Sequence, residues 1–263
     1  MKPSIGQYIP GNSILHRSDP RTKLVLTVLY MVAVMFIDTF IGYGVAFVFL
    51  IVAIIASRVP VKMVLKSLKP LIFIIAFTVV LNVLFQKGEQ LIFSLGFINI
   101  YMEGILFAVK MAFRILILVA GASLLTFTTS SISLTDGLER LMSPLTVIRF
   151  PAHDIAMMMS IALRFIPTFS EETDRIMKAQ SSRGAEFDTG SIMKKIKSFI
   201  PVIIPLIISA FRRAEDLAVA MESRCYRGGK GRTRYRVLKF SWCDALVAGS
   251  VIVFAVVVIV LGL

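Results

Sequence analysis

The chain is poor in the residues that most chemistry needs. Its 263 residues include two cysteines, two histidines and 16 acidic side chains against 29 basic ones. Cys225 and Cys243 stand 18 positions apart, and the first falls in a stretch that reads as cytosolic, which argues against a structural disulfide. His16 and His153 make no His-Glu-x-x-His pair, no Gly-x-Ser-x-Gly elbow occurs, and no titratable cluster stands out, so a membrane enzyme has nothing to work with. His153, just before Asp154, reads simply as a residue at a helix start. No phosphate-binding Gly-x-x-x-x-Gly-Lys-Ser/Thr occurs either. The stretch "RGGKGRT" lacks both its spacing and the hydroxyl after the lysine, and reads as a basic loop near anionic lipid. No cofactor or metal is expected on this chain.

What the chain has in abundance is apolar sequence. It is 57% hydrophobic with a mean hydropathy of +0.82, beyond the range of soluble domains. Runs over 24–37, 40–57, 70–85, 104–127 and 242–263 predict five membrane spans, the first and third short of the roughly 20 residues that cross a bilayer. Residues 1–23 have no apolar core or small-residue cleavage site and read as a retained leader, not a signal peptide.

A net charge of +13 in such a chain belongs at the membrane flanks, with no nucleic-acid partner implied. Lys and Arg number four in the leader, four in the 58–69 loop and eighteen in 128–241, against none at 38–39 and one, Lys87, in 86–103. The positive-inside rule then predicts a cytoplasmic N-terminus, five spans and an external C-terminus in a multi-pass cell-membrane protein. The external stretch "SLGFINIYMEG" alternates polar and apolar residues around Gly96, the pattern of a small hairpin.

The chain thus divides into 1–127 (leader and spans one to four), 128–241 (a cytosolic helical insert of over two-fifths of the chain) and 242–263 (the last span). In the insert, Asp136 with Glu139 resembles an N-cap pair for a helix striped by Leu138, Leu141, Met142, Leu145 and Ile148. A second helix runs from Asp154 with Ile155, Met158, Ala162, Ile166, Phe169 and Ile176 on one stripe, and Gly184 stops it just after Arg183. A third is expected from about Pro205 to Arg224, with Ile207, Phe211, Ala214, Leu217 and Met221 on one side. Upstream of it, "FIPVIIPLIISAF" is broken by Pro201 and Pro205 and suits the membrane face, with Arg212 and Arg213 meeting headgroups.

Both long helices close on alike stretches, "AQSSRGAEF" and "AMESRCYRGG", whose arginines are 41 positions apart. One such arginine is explained by the helix dipole alone, which a terminal cation complements. Two copies with small neighbours suggest two similar partners, each engaged by a guanidinium fork. Lys110 and Arg114, four apart in the fourth span, share a helix face and would mark an ion path in a secondary transporter or channel, the alternative reading of the chain. The structural reading, pairing with Glu103, Asp38 or backbone carbonyls, is favoured because the spans show no inverted repeat of broken helices.

The leader "IPGNSILHRSDPRTKL", the stretches "SSRG" and "ESRCYRGG", and five spans with a large basic insert together resemble the transmembrane T component of energy-coupling factor transporters, a branch of the ABC importers for vitamins and metal ions. The resemblance implies an all-α integral membrane protein whose long amphipathic cytosolic helices cross beneath the bilayer. It implies that Ser182, Arg183 and Gly184, and Ser223, Arg224 and Cys225, dock in grooves of two ATPase subunits, which would bind the ATP and Mg2+. Cys225 stands where that family commonly has Gly, and both tripeptides begin with Ser instead of Ala. On this reading the apolar stripes that carry Ile207 and Phe211 pack against a substrate-binding membrane subunit and the bilayer face.

Overall fold

The computed structural model describes residues 8–95, 98–144, 150–187, 191–228 and 240–260, which form an all-α membrane protein apart from one small hairpin. The chain makes two units, Met1–Leu141 with Arg236–Leu263, and Met142–Tyr235.

In the first unit, the leader holds a short helix, α1 (Ile14–Arg17), and Asp19 then caps α2 (Pro20–Met35), accepting from the Arg21 N–H at 2.9 Å. Pro20 at the start of α2 loses no helical hydrogen bond there, because the first N–H groups of a helix have no internal partner. At 16 residues, α2 is about 24 Å long, short of the hydrocarbon thickness. Helix α3 (Phe40–Ser57) is capped by the Thr39 hydroxyl and ends at Arg58 in left-handed backbone, φ 55°. Next come α4 (Val61–Leu68), a 3-10 turn at Lys69–Leu71 and α5 (Ile72–Phe85).

The 58–69 segment, expected as a loop, is therefore mostly helix. Val64 is buried and Leu68 half-buried while Lys62 and Lys66 are exposed, so the basic residues ride the outer face of an amphipathic turn. Pro70 has no N–H to donate and falls at the 3-10 turn that links α4 to α5. The third span is thereby lengthened to 25 residues. Strands β1 (Leu91–Leu95) and β2 (Ile98–Tyr101) pair antiparallel, as the alternation predicted, with Gly96 outside the described residues. Helix α6 (Met102–Thr128) and helix α10 (Trp242–Val260) complete the apolar set. Among the described residues four stretches are long and apolar enough to cross a membrane: α3, α4–α5, α6 and α10.

The short α2 lies at the centre of this unit. Its Leu26, Tyr30, Ala33 and Val34 pack with Tyr43 and Ala46 of α3, Ile117 of α6, and Val251, Phe254 and Val258 of α10. Phe49 and Phe254 stack at 4.5 Å, with Tyr30 on both rings. A second cluster joins Val59 and Val64 to Leu50 and to Ala120, Leu124 and Phe127 of α6.

Helix α7 (Ser131–Met142) corrects one expectation. Its cap is Ser130, whose hydroxyl accepts the Ser133 N–H at 3.2 Å, and Asp136 sits inside the helix, not at its N-cap. The extended backbone at Thr129 ends α6 and leaves Ser130 next in line, so the nearest hydroxyl takes the orphan N–H groups before Asp136 is reached. Gly137 meets α2 closely: a Cβ there would stand 3.0 Å from Pro20 Cβ. Leu145 and Ile148 of the predicted stripe lie outside the described residues.

The second unit consists chiefly of α8 (Ala152–Ser182) and α9 (Ile192–Ser223), 31 and 32 residues or about 46 and 48 Å. His153 lies in the first turn of α8, as predicted. Helix α9 starts thirteen residues before Pro205 and runs through Pro201 and Pro205 without breaking. Each proline removes one ladder bond. Being one turn apart and both exposed, they confine that loss to one side of the helix while the remaining ladder continues.

Candidate partner-docking site

The ends of α8 and α9 share one backbone design. After α8, the Gly184 N–H donates to Ser181 O and the Ala185 N–H to Gln180 O, both at 3.0 Å, with Gly184 at φ +86°. After α9, the Cys225 N–H donates to Glu222 O at 2.8 Å and the Tyr226 N–H to Met221 O at 3.0 Å, with Cys225 at φ 56°. Both are Schellman closures, which satisfy the last carbonyls by turning one residue left-handed. Each puts its arginine at the same place: Arg183 and Arg224 are the C-caps, at φ −93°, ψ 9° and φ −91°, ψ 14°. The glycine of the first copy takes the left-handed turn without cost, whereas the cysteine of the second takes it against its own Cβ.

The serines complete the match. Ser182 donates to Lys178 O at 3.1 Å and Ser223 to Ala220 O at 3.0 Å, so neither hydroxyl competes for its arginine. All six residues of the two tripeptides are exposed, and among the described residues neither Arg183 nor Arg224 has an ion pair or hydrogen-bonded side-chain partner. A bare guanidinium on a rigid turn offers its donors to a carboxylate or carbonyl of another molecule.

Between these ends, α8 and α9 are pinned together. Arg213 donates to Glu172 Oε2 at 3.0 Å, lies over the Phe169 ring at 5.8 Å, and reaches Ser209 Oγ at 3.4 Å. Sequence reasoning had sent Arg213 to headgroups with Arg212; the structure turns it onto Glu172 instead, because a carboxylate and an aromatic face stand within reach on the facing helix. The pair could have been found from one signal. Glu172 and Arg213 are 41 positions apart, the same separation as the two capping arginines. Arg183 and Arg224 therefore each lie eleven residues, about 16 Å along the helix, beyond the pin.

Ile207 and Phe211 are 50% and 70% exposed on α9. Ile207 joins Phe169, Ile203, Leu206 and Ala210 around a hollow of about 240 Å³ between α8 and α9. The second unit leaves much apolar surface open in this way: its only buried described residues are Ala152, Ala156 and Val202.

Lys110 and Arg114 have structural employment. Arg114 donates to the Ile37 carbonyl, to Tyr43 OH at 3.1 Å and to Asp38 at 3.2 Å, and Lys110 sits 5.4 Å over the Phe40 ring. Together they hold the α2–α3 turn against α6. Glu103, the other partner considered, accepts instead from the Gln90 N–H at 3.2 Å.

The leader is likewise a clamp. His16 bridges Ser13 Oγ at 2.6 Å and Ile9 O at 2.9 Å, and the Ile9 N–H donates to Phe127 O at 3.0 Å. Buried Asp244, unnoticed in the sequence, accepts the Asp19 and Ser241 N–H groups at 2.6 Å each, tying the start of α2 to the start of α10. Lys23 donates to Thr128 O and Thr129 Oγ1 at 3.1 Å and ties in the end of α6.

Residues 11–235 match the CbiQ family, described as cobalt transport protein. The energy-coupling factor transporter transmembrane protein EcfT of Ruminiclostridium cellulolyticum is 54% identical over 258 residues, covering 98% of this chain and 96% of that one. The protein of that name from Brevibacillus brevis is 49% identical over 98% and 97% of the two chains, and that from Lactococcus lactis subsp. cremoris 44% identical over 97% and 96%. With the family match running through α2 to α9 and both arginine-bearing helix ends, and the relatives matching nearly the whole chain, the chain belongs to the CbiQ family, among the transmembrane T components of energy-coupling factor transporters.

Proposed function

We propose that this multi-pass membrane protein is the non-catalytic coupling subunit of an energy-coupling factor importer for a vitamin or metal ion. Two cytosolic ATPase subunits bind ATP and Mg2+ and close; α8 and α9 carry that motion to a substrate-binding membrane subunit. Arg183 and Arg224 each dock one ATPase, flanked by Ser182 and Gly184 and by Ser223 and Cys225. Ile207 and Phe211 pack against the substrate-binding subunit and the bilayer face. With α2 as a short fifth crossing beside the four long apolar stretches, the N-terminus is cytoplasmic and the C-terminus external, following the distribution of Lys and Arg.

The observation that carries this reading is the pair of exposed arginines, unpartnered among the described residues and in one backbone state, each the same helical distance from the Glu172–Arg213 pin. Two like docks at equal lever lengths suit two like partners that move together. Losing one desolvated arginine contact costs roughly 2–5 kcal/mol, so each single Arg→Ala change weakens assembly and the double change detaches both ATPases. Arg→Lys restores only part, since an ammonium has no bidentate fork. The test is pull-down of the ATPases with each variant, together with ATP-dependent uptake in proteoliposomes. Normal binding and uptake by the double Arg→Ala protein would overturn the reading. Ile207→Asp or Phe211→Asp is expected to release the substrate-binding subunit and leave the ATPases bound. For orientation, a cysteine at Ser191 should label only from the cytosol and one at Lys87 only from outside.

A further inference from the structure

Helix α4 carries charge that nothing near it in the chain answers. From Thr39 to Gly88 the sequence holds no Asp or Glu, yet Lys62, Lys66 and Lys69 fall inside that run. The acids that bracket it, Asp38 and Glu89, lie beyond the far ends of α3 and α5. Other carboxylates of this unit are engaged elsewhere: Asp19 with Arg21, Asp38 with Arg114, Asp244 with two N–H groups and Glu103 with the Gln90 N–H. All three lysines are exposed, and among the described residues their ammonium groups have no ion pair, hydrogen bond or ring contact.

The helix sets where these cations stand. Positions 62, 66 and 69 follow the i, i+4, i+7 spacing and make one stripe about 10 Å long. On the opposite side of the turn, Val64 is buried in the cluster with Leu124 and Phe127, close to the Thr128 end of α6. Helix α4 is therefore level with the end of a 27-residue apolar helix, where hydrocarbon gives way to headgroups. Val61 and Leu65 beside the stripe are 55% and 61% exposed, and the chain then runs into α5, none of whose side chains is buried. Water alone would leave Val61 and Leu65 wet, and hydrocarbon alone would leave the ammonium groups bare. The membrane boundary accommodates both.

We propose that α4 is a binding surface for anionic phospholipid, with Lys62, Lys66 and Lys69 holding the headgroups and Val61 and Leu65 against the first methylenes of the acyl chains. Charge selects the class, because cations without an acid of their own draw anionic headgroups over zwitterionic ones. The residue type agrees. A dock for protein carboxylates is best served by the arginine fork, as at the ends of α8 and α9, whereas lysine is a point charge on a flexible stem that can follow a mobile headgroup. The surface lies within the first unit and depends neither on the orientation of the chain nor on the partners of the second unit.

The test uses the full chain in nanodiscs of equal phosphatidylglycerol and phosphatidylcholine. On release into detergent, native mass spectrometry is expected to show phosphatidylglycerol retained over phosphatidylcholine by roughly threefold or more, less as salt is raised. Changing Lys62, Lys66 and Lys69 together to Gln should remove the preference, and changing them to Arg should keep it. Changing Lys178, Lys194 and Lys197 to Gln, an equal loss of exposed charge on α8 and α9, should leave it as it was. No preference in the unmodified chain, a preference that survives the α4 change, or one lost equally in the α8–α9 control overturns the proposal. Should the α4 variant fail to fold, photoreactive benzoylphenylalanine at Leu65, with all three lysines kept, decides the matter in native membranes that hold the partner subunits. Phospholipid adducts at 65 should be enriched in phosphatidylglycerol about threefold over those at Phe77, an exposed position on α5. Adducts to a protein at 65, or the same lipid mixture at both positions, would likewise sink it.

Discussion

Arg114 in the first unit and Arg183 and Arg224 in the second all sit on long helices, yet their surroundings are opposite. Arg114 spends its donors on Ile37, Tyr43 and Asp38 of its own chain, whereas the two capping arginines touch no internal acceptor among the described residues. The hydrophobic residues follow the same division. The first unit gathers two buried clusters around α2 and α6, while the second buries three described side chains and leaves Ile203, Ile204, Ile207, Ile208 and Phe211 open. A segment that satisfies its own groups is built to persist, and one that leaves them open is built to be completed by other molecules.

This contrast is sharpened by removing charge from each side. The largest effect should come from Asp244→Ala, which strands two buried N–H groups and takes away a carboxylate near Lys23. A loss of about 3 kcal/mol is expected, seen as a lower unfolding midpoint in detergent. Arg114→Leu should cost about 2 kcal/mol by removing charge-assisted hydrogen bonds to the Ile37 carbonyl and the Tyr43 hydroxyl, which are left with only the bond between them, with uptake retained in the protein that folds. If instead uptake vanished while stability held, the assignment of Arg114 to structure would be wrong.

The two helix ends allow a finer comparison. Gly184→Ala should destabilise the α8 closure by about 1 kcal/mol, and Cys225→Gly should stabilise the α9 closure by a similar amount, since both change only the cost of a left-handed residue. Hydrogen exchange at Ala185 and Tyr226 reads these closures directly. Smallest of all, Arg183→Ala and Arg224→Ala should leave the unfolding midpoint where it was while lowering ATPase pull-down. A large midpoint drop in either would mean that the arginine holds its own chain together and that the contrast between the units fails.

Much of the site was legible because it depends on local rules. Gly184 after a basic, amphipathic run predicts a helix stop, and the likeness of "SSRG" to "ESRC" predicts a repeated device. Other features were not legible. Asp136 looked like a cap from its spacing to Glu139, but an earlier hydroxyl at Ser130 took the role. Pro201 and Pro205 looked like breaks, but each removes one ladder bond and crowds the carbonyl four residues before it, and a helix of 32 residues keeps enough other ladder bonds to continue past both.

The sequence by itself determined the membrane class, the apolar helices, the hairpin around Gly96 and the two arginine-bearing ends, because each rests on composition, periodicity or a turn residue within a few positions. Only the tertiary structure decided that short α2 is the hub of its unit, that Asp244 clamps the leader, that Arg114 is consumed inside, and that Glu172 meets Arg213. The three polar contacts among these join residues between 41 and 225 positions apart. No local preference encodes such a pairing; it follows from which helix faces meet when the chain buries its apolar surface, and polar groups then find the partners that the meeting brings within 3 Å.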